Sequence, residues 1–87
     1  MSKFIEELTD YAKASGAFEY AAKRYSDSNQ SQVLMQEVKA TFNYLNNVAF
    51  PKIEESHNNN PEDKNAASVF EIAYKDLMKM QNLFNSL

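Results

Sequence analysis

The chain contains one histidine, and it stands three residues after a glutamate. Glu54 and His57 form a Glu-x-x-His pair, the spacing with which helical bundles direct ligands toward two metal ions. Such centres need two of these pairs and two further glutamates, whereas this chain has one histidine, so a symmetric oligomer would have to supply the second copy. Three asparagines follow His57, where a helix is expected to end and where its dipole favours an imidazolium. We therefore predict a solvent-facing histidine at a helix end, no metal site and no cofactor.

Residues for nucleophilic or acid–base catalysis do not form a recognisable motif. The sequence has no cysteine, which rules out disulfides, thiolate metal sites and a cysteine nucleophile. Its single glycine, Gly16, leaves no glycine-rich phosphate loop or nucleophile elbow. Glu71 with Lys75 and Asp76 with Lys79 have the spacing of solvated helix faces. These features predict a protein that is not an enzyme and has no catalytic residues.

One polar helix face supports a sharper binding hypothesis. Lys13, Ala17, Tyr20 and Arg24 follow one another at steps of four, three and four residues, and Lys23 is adjacent. Two cations could hold a phosphate while a tyrosine ring stacks on a base. The second-ranked prediction is therefore a ligand binder that sequesters an anionic molecule such as a nucleotide through Lys13, Tyr20, Lys23 and Arg24. Nearby carboxylates weaken the positive field, so an ordinary solvated helix face is the competing interpretation.

Four aromatic residues do not fit the apolar stripes that the helices are expected to bury: Tyr20, Tyr44, Phe50 and Tyr74. A three-helix bundle of this size cannot cover apolar side chains on several sides of every helix. These rings therefore either flank the core or form a protein interface, for which tyrosine is well suited. The leading prediction is a non-enzymatic helical interaction protein. It would act as a small oligomer, or as an adaptor or inhibitor that docks on another protein.

The helices that position these residues are indicated by apolar steps of four and three residues. This period is typical of helices that pack side by side. In the first helix the stripe contains Phe4, Leu8, Tyr11, Ser15, Phe18, Ala22 and Tyr25, beside the small residues Ala14, Ala17 and Ala21. In the middle it contains Leu34 or Met35, Val38, Phe42, Leu45, Ala49 and Ile53. In the last helix it contains Ala66, Phe70, Ala73, Leu77, Met80, Phe84 and Leu87, beside Val69, Ile72 and Leu83.

Breaks between these stripes divide the chain into three helices. Their predicted bounds are about 3–25, 28–56 and 61–85. Asn60 suits a helix cap and Pro61 the first helical position, whereas the period-two alternation of strands is nowhere sustained. We predict one all-α domain over 1–87, a three-helix bundle. Helices 2 and 3 would form a long antiparallel hairpin, with the N-terminal helix packed along it.

Local signals refine the ends and the middle of these helices. Ser2 suits the cap of the first helix, and Asp27 with Gln30 has capping-box spacing before the second. Pro51 lies within the second helix and removes a backbone hydrogen bond there, at a cost of about 3 kcal/mol. Because the apolar stripe continues beyond the proline, we expect a kink at Pro51 with the helix resuming. A helix end at Phe50 is the alternative.

Composition and net charge restrict the classes of partner and the cellular location that we expect. The net charge is −3, which argues against non-specific nucleic-acid binding because that needs a basic surface. No segment approaches the roughly 18 apolar residues of a membrane span, and the charged N-terminal residues do not resemble a signal peptide. Together with the absence of cysteine, this predicts a cytoplasmic protein that does not bind membranes. Ten asparagines suggest an AT-rich genome, such as that of a low-GC bacterium, a phage or a plasmid.

Overall fold

A computed structural model describes residues 2–87, and within them the chain is helical with no strand. The α-helices are α1 (Lys3–Asp27), α2 (Gln32–Tyr44), α3 (Phe50–Asn59) and α4 (Lys64–Asn85). A π-helical turn, Leu45–Ala49, joins α2 to α3 with helical dihedral angles at both junctions, so the two form one continuous rod. The described chain therefore consists of three helical rods. The prediction of an all-α, three-helix architecture is confirmed.

The first two helix starts are set by serine hydroxyls that accept hydrogen bonds from free backbone amides. The Ser2 hydroxyl caps α1 as predicted, at 3.2 Å. The predicted cap of the second helix is wrong, because Ser31 occupies that position and its hydroxyl accepts at 3.3 Å. Asp27 instead ends α1, and Asn29 and Gln30 have φ angles of 57° and 66°. These left-handed residues cannot continue a helix, so α2 begins four residues later than the predicted start.

The start of α4 also lies later than predicted. Asp63 caps this helix, and its carboxylate accepts from two backbone N–H groups of the first turn at 2.8 and 3.2 Å. Asn60 belongs to the preceding helix end, where its side-chain amide donates to the Ser56 carbonyl at 2.9 Å. Pro61 therefore lies in the turn, and the helix begins at Lys64. The charged Asp63 oxygen accepts from two backbone amides and forms charge-assisted hydrogen bonds, which favours it as the cap.

The π-helical turn explains how the middle rod accommodates Pro51. The Phe50 N–H bonds to the Leu45 carbonyl, five residues back. The wider turn relieves the carbonyl that the Pro51 ring would crowd in an α-helix, and Pro51 falls in the first turn of α3. The turn also inserts one residue, so the buried face advances by four residues twice, from Leu45 to Ala49 and on to Ile53. The helix resumes after Pro51, as expected.

The core is built from the predicted stripes. The most completely buried large side chains are Tyr11, Phe18, Val38, Leu45, Ile53 and Met80. The sequence also placed Ala17 and Ile72 in rows beside the main stripes. These two residues lie at the outer edges of their helix faces and are exposed. The bundle is elongated, with dimensions of 47 × 22 × 16 Å. Burial is therefore limited to one narrow seam along each rod.

Aromatic contacts show how the rods pass one another. Along α1, Tyr11 and then Phe18 meet Phe50 and then Phe42 of the middle rod, with ring centroids 6.4 and 5.3 Å apart. The order of the contacts is reversed, as in two helices that run in opposite directions. Phe84 of α4 stacks on Phe42 at 4.5 Å and meets Phe18 edge-on at 6.2 Å. One phenylalanine from each rod thus forms a cluster that ties the three together.

Candidate protein-interaction surfaces

Helix α1 separates two open clefts of similar size. The apolar cleft, of about 210 Å³, lies between α1 and α2 and is lined by Ala14, Ala17, Ala40, Thr41 and Tyr44. The polar cleft, of about 280 Å³, lies between α1 and α4 and is lined by Leu8, Tyr11, Ala12, Ser15, Gly16, Glu19, Ile72 and Asp76. Small residues of α1 form the floor of both, so neither cleft is filled by the protein's own side chains.

The apolar cleft presents almost no polar atom to its surroundings. Alanines form its floor, and half-exposed Tyr44 stands at its rim. The Thr41 hydroxyl, which is the other polar side-chain group of the lining, donates within its own helix to the Glu37 and Val38 carbonyls at 2.9 and 3.0 Å. The Thr41 hydroxyl proton is therefore already engaged within α2 and is not free to donate into the cleft. A surface of this kind lets the backbone of a further helix approach closely.

An exposed stripe on the middle rod extends this cleft. It advances by steps of four, three, four and four residues through Val33, Glu37, Ala40, Tyr44 and Val48. Val33 is 74% exposed, Tyr44 is 51% exposed and Val48 is also exposed. An uncovered apolar row at heptad-like spacing is typical of a helix that packs against another helix. The two valines were not among the predicted interface residues, although the same spacing rule applied to this row would have found them.

The four predicted interface aromatics do not form one surface. Tyr20 lies on the outer side of α1, Tyr44 borders the apolar cleft, and Tyr74 stacks beside Phe70 at 6.0 Å. The expectation of an exposed Phe50 is wrong, because this residue is only 7% exposed. The residue inserted by the π turn rotates position 50 toward the core. Three of the four aromatics therefore remain available for contacts, on different parts of the molecule.

The predicted ligand face is only partly assembled. The Arg24 guanidinium lies 5.7 Å from the centre of the Tyr20 ring and 3.2 Å from the Glu37 carboxylate of α2. Tyr20 and Lys23 line a common cleft of about 420 Å³, and Lys13 is exposed elsewhere along α1. Tyr20 and Arg24 thus meet as predicted, but a carboxylate from the neighbouring helix already neutralises the arginine.

Asp76 is the centre of the polar cleft. Its Oδ2 atom accepts hydrogen bonds from the Tyr11 hydroxyl at 2.9 Å and from the Ser15 hydroxyl at 2.6 Å. Burial, followed by the hydrogen bond and the negative charge of Asp76, raises the pKa of Tyr11 far above its ordinary value. The phenol therefore stays protonated and continues to donate. The sequence spacing predicted that Asp76 lies on a solvated face with Lys79. The one sequence signal for the Asp76 hydrogen-bond network was Ser15, a serine within an otherwise apolar stripe.

His57 is half-buried, which corrects the prediction of a solvent-facing residue. Its ring stacks on Phe70, with centroids 4.9 Å apart and planes inclined by 22°. Its Nδ1 atom is buried and has no hydrogen-bond partner in the described part of the chain. The cause is the length of α3, which continues to Asn59 and so carries His57 within its last turn against α4. Glu54 is exposed, and residues 2–87 contain no group of three or more metal-ligating side chains.

Comparisons with other proteins add no functional assignment. The chain matched no family model, no curated protein and no solved structure. Among residues 2–87, none of the helices combines the length and apolar character needed to cross a bilayer. Function must therefore be inferred from the two clefts and the exposed stripe.

Proposed function

We propose that this chain is a non-enzymatic helical interaction protein whose apolar cleft and adjoining stripe receive a helix from another protein or from a second copy. The observation that carries this proposal is the row of exposed Val33, Tyr44 and Val48 beside an alanine floor. The chain would act as a small oligomer, or as an adaptor or inhibitor. The middle rod and α4, which correspond to the predicted helices 2 and 3, would serve as a long antiparallel hairpin that supports α1.

A helix is the occupant that best matches this surface. Amphipathic helices bind apolar grooves through anchors spaced by three and four residues, and the stripe has this spacing. Tyrosine is an effective anchor because it buries a large ring while its hydroxyl stays hydrated. The stripe also contains one charged residue, Glu37, which is paired with Arg24 of α1 and would contribute more to the orientation of a partner than to its affinity.

The shape of the molecule agrees with a partner-binding role. Its accessible surface is 5744 Å², compared with roughly 5,200 Å² for a compact monomer of this mass. The excess follows from the thin bundle, which leaves one side of each rod uncovered. We also propose a cytoplasmic location without membrane or non-specific nucleic-acid binding. The acidic net charge of −3 and the lack of cysteine support this part of the proposal.

Sedimentation velocity over a wide concentration range tests the docking surface. We expect an assembly that dissociates in the double variant Val33→Ser/Tyr44→Ser, because two apolar contacts are lost. Tyr74→Ser is the matched control, since it removes an exposed tyrosine from α4. Val33→Ser and Tyr44→Ser are surface changes that should alter the free energy of unfolding by no more than about 0.5 kcal/mol each. Tyr74→Ser also loses ring contacts with Phe50 and Phe70 and should lower it by about 1 kcal/mol, so folding is checked before sedimentation. An assembly lost in the control but retained in the double variant would contradict this choice of surface.

If the chain stays monomeric at every concentration, the helix that binds the apolar cleft comes from another protein. A photo-crosslinking amino acid at position 33 should then label that partner, and the same group at position 74 should not. The partner's affinity should fall in the Val33→Ser/Tyr44→Ser variant and stay unchanged in Tyr74→Ser. Equal labelling from both positions would count against a single docking face.

The alternative function is sequestration of an anionic ligand such as a nucleotide. It is supported by the contact of Arg24 with Tyr20 and by the cleft that Tyr20 shares with Lys23. It is weakened by the Glu37 carboxylate, which a ligand phosphate would have to displace. A thermal-shift assay with ATP separates the two functions. Stabilisation that disappears in Lys23→Ala and Arg24→Ala and declines as salt rises would place ligand binding ahead of docking.

A further inference from the structure

The polar cleft carries negative charge without a positive partner. Its lining includes the carboxylates of Asp76 and Glu19 and no lysine or arginine. Within residues 2–87 the ion pairs join Arg24 to Glu37 and Lys75 to Glu71, so neither carboxylate of the cleft is paired. A half-buried carboxylate without a counter-charge favours a cation supplied from outside.

One oxygen of Asp76 is held by the protein and the other is accessible. Both hydroxyl donors, from Tyr11 and Ser15, end on Oδ2. No donor in the described chain reaches Oδ1, and this atom is not among the buried unpartnered atoms, which belong to Glu7 and His57. Oδ1 therefore keeps some solvent exposure, and Asp76 lines the cleft. Because the two hydroxyls fix the carboxyl group, an incoming donor would meet a preoriented acceptor.

The walls of the cleft suit an aliphatic chain. Ile72 is 55% exposed and stands beside Asp76. Gly16 contributes open space, because a Cβ atom added there would meet nothing within 4 Å. A cleft with an apolar wall leading to a carboxylate matches a side chain with a methylene stem and a cationic end. Of the two candidates, arginine suits it better than lysine, because a planar, weakly hydrated guanidinium loses less on partial burial.

We propose that the polar cleft receives an arginine side chain of a partner protein, with the guanidinium on Asp76 Oδ1 and the stem along Ile72. The inference rests on the proposed function in one respect, namely that the occupant belongs to a protein. It concerns the opposite flank of α1 from the apolar cleft. The two surfaces would together grip a partner on both sides of the N-terminal helix.

The test is a titration of the full ¹⁵N-labelled chain with a leucine- and alanine-rich helical peptide that contains one central arginine. The matched probe is the same peptide with citrulline, which keeps the shape and removes the charge. We expect the arginine peptide to shift the amide signals of Ser15, Gly16 and Asp76, and the citrulline peptide to bind at least about tenfold more weakly, because a hydrogen bond to a charged group is lost. Affinity should also fall as salt rises.

Protein variants locate the interaction. Asp76→Asn keeps an acceptor for the two hydroxyls but removes the charge, and it should weaken binding of the arginine peptide by about tenfold or more. Glu54→Gln removes one exposed carboxylate from α3 and should leave binding unchanged. Gly16→Leu should obstruct the cleft while Asp76 stays intact. Circular dichroism confirms that each variant is folded before it is titrated.

Several results would overturn the inference. They are equal binding of the arginine and citrulline peptides, equal effects of Asp76→Asn and Glu54→Gln, or the absence of any shift in the cleft residues at the highest peptide concentration. The Tyr44→Ser variant separates this inference from the proposed function, because it should leave the difference in affinity between the arginine and citrulline peptides unchanged. Loss of assembly with retained peptide binding would assign separate roles to the two clefts.

Discussion

The two clefts beside α1 share a floor of small residues and differ in what else depends on them. On the apolar side, exposed residues such as Tyr44 of the cleft and Val33 of the adjoining stripe do little to hold the bundle together. In the polar cleft, Tyr11 and Ser15 belong to the core and hold Asp76 at the same time. Substitutions on the apolar flank should therefore have little effect on folding. On the polar flank, the proposed arginine site and the stability of the fold involve the same hydrogen bonds.

The largest effect on stability should come from the core residue of α1 that contacts both other rods. Phe18 is fully buried and meets Phe42 and Phe84, one from each of the other rods. Phe18→Ala should lower the free energy of unfolding by about 3–5 kcal/mol, measured by urea denaturation with circular dichroism. Tyr20→Ala, an exposed aromatic two residues away, is the control and should lose less than about 1 kcal/mol. Similar losses in the two variants would mean that α1 is not anchored by this cluster.

The next effect distinguishes the two clefts directly. Asp76→Ala removes the acceptor of two buried hydroxyls, which should lower the free energy of unfolding by about 1–3 kcal/mol. Tyr44→Ala at the apolar cleft should change it by no more than about 0.5 kcal/mol. Thermal or urea unfolding of both variants measures the contrast. If Tyr44→Ala proved as destabilising as Asp76→Ala, the apolar flank would be part of the structural core.

The Tyr11 hydroxyl should make the polar flank sensitive to alkali. Its pKa is raised in the folded protein above the ordinary value of 10.0. Below that pH both states keep the proton; above it the unfolded tyrosine ionises while the folded one does not, so stability falls as pH rises. Tyr11→Phe should lose about 1 kcal/mol near neutral pH. That deficit should shrink from about pH 9 to about pH 11, because the variant lacks this group.

Urea midpoints measured across this pH range for the wild type and Tyr11→Phe provide the comparison. Tyr20→Phe is the control, because its hydroxyl is on the outer side of α1 and its removal should leave the alkaline decline in place. A deficit in Tyr11→Phe that stays constant with pH would show that the hydroxyl does not stabilise the fold through this bond.

The smallest effect concerns the floors of the clefts. Gly16→Ala should raise the free energy of unfolding by about 0.5–1 kcal/mol, because alanine favours the helix and the new Cβ meets nothing within 4 Å. Ala17→Gly, the neighbouring exposed position at the apolar cleft, should lower it by a similar amount. Thermal denaturation should show the two shifts with opposite signs. A loss of stability in Gly16→Ala would mean that α1 requires a glycine there for another reason.

Much of the fold was predictable because helix geometry acts over a few residues. The stripe through Tyr11 and Phe18 became the buried seam of α1, and Ser2 became its cap. The cap of α4 was misplaced because Asn60 and Asp63 both resemble caps, and the choice depended on where the preceding helix ends, which places Asn60 at its C-terminal end. The candidate surfaces were less predictable. Tyr44 was identified from sequence, whereas the Asp76 network joins residues 61 and 65 positions apart.

The amino-acid sequence alone determined that the chain forms three helices and which side of each is buried. Tertiary structure decided the burial of Phe50, the environment of His57 and the pairing of Asp76 with Tyr11. For His57 and Asp76 the physical reason is contact with a different helix, and for Phe50 it is rotation about the helix axis. A periodic pattern defines a face within one rod, but one residue inserted at the π turn changes which side chains that rod presents to its neighbours.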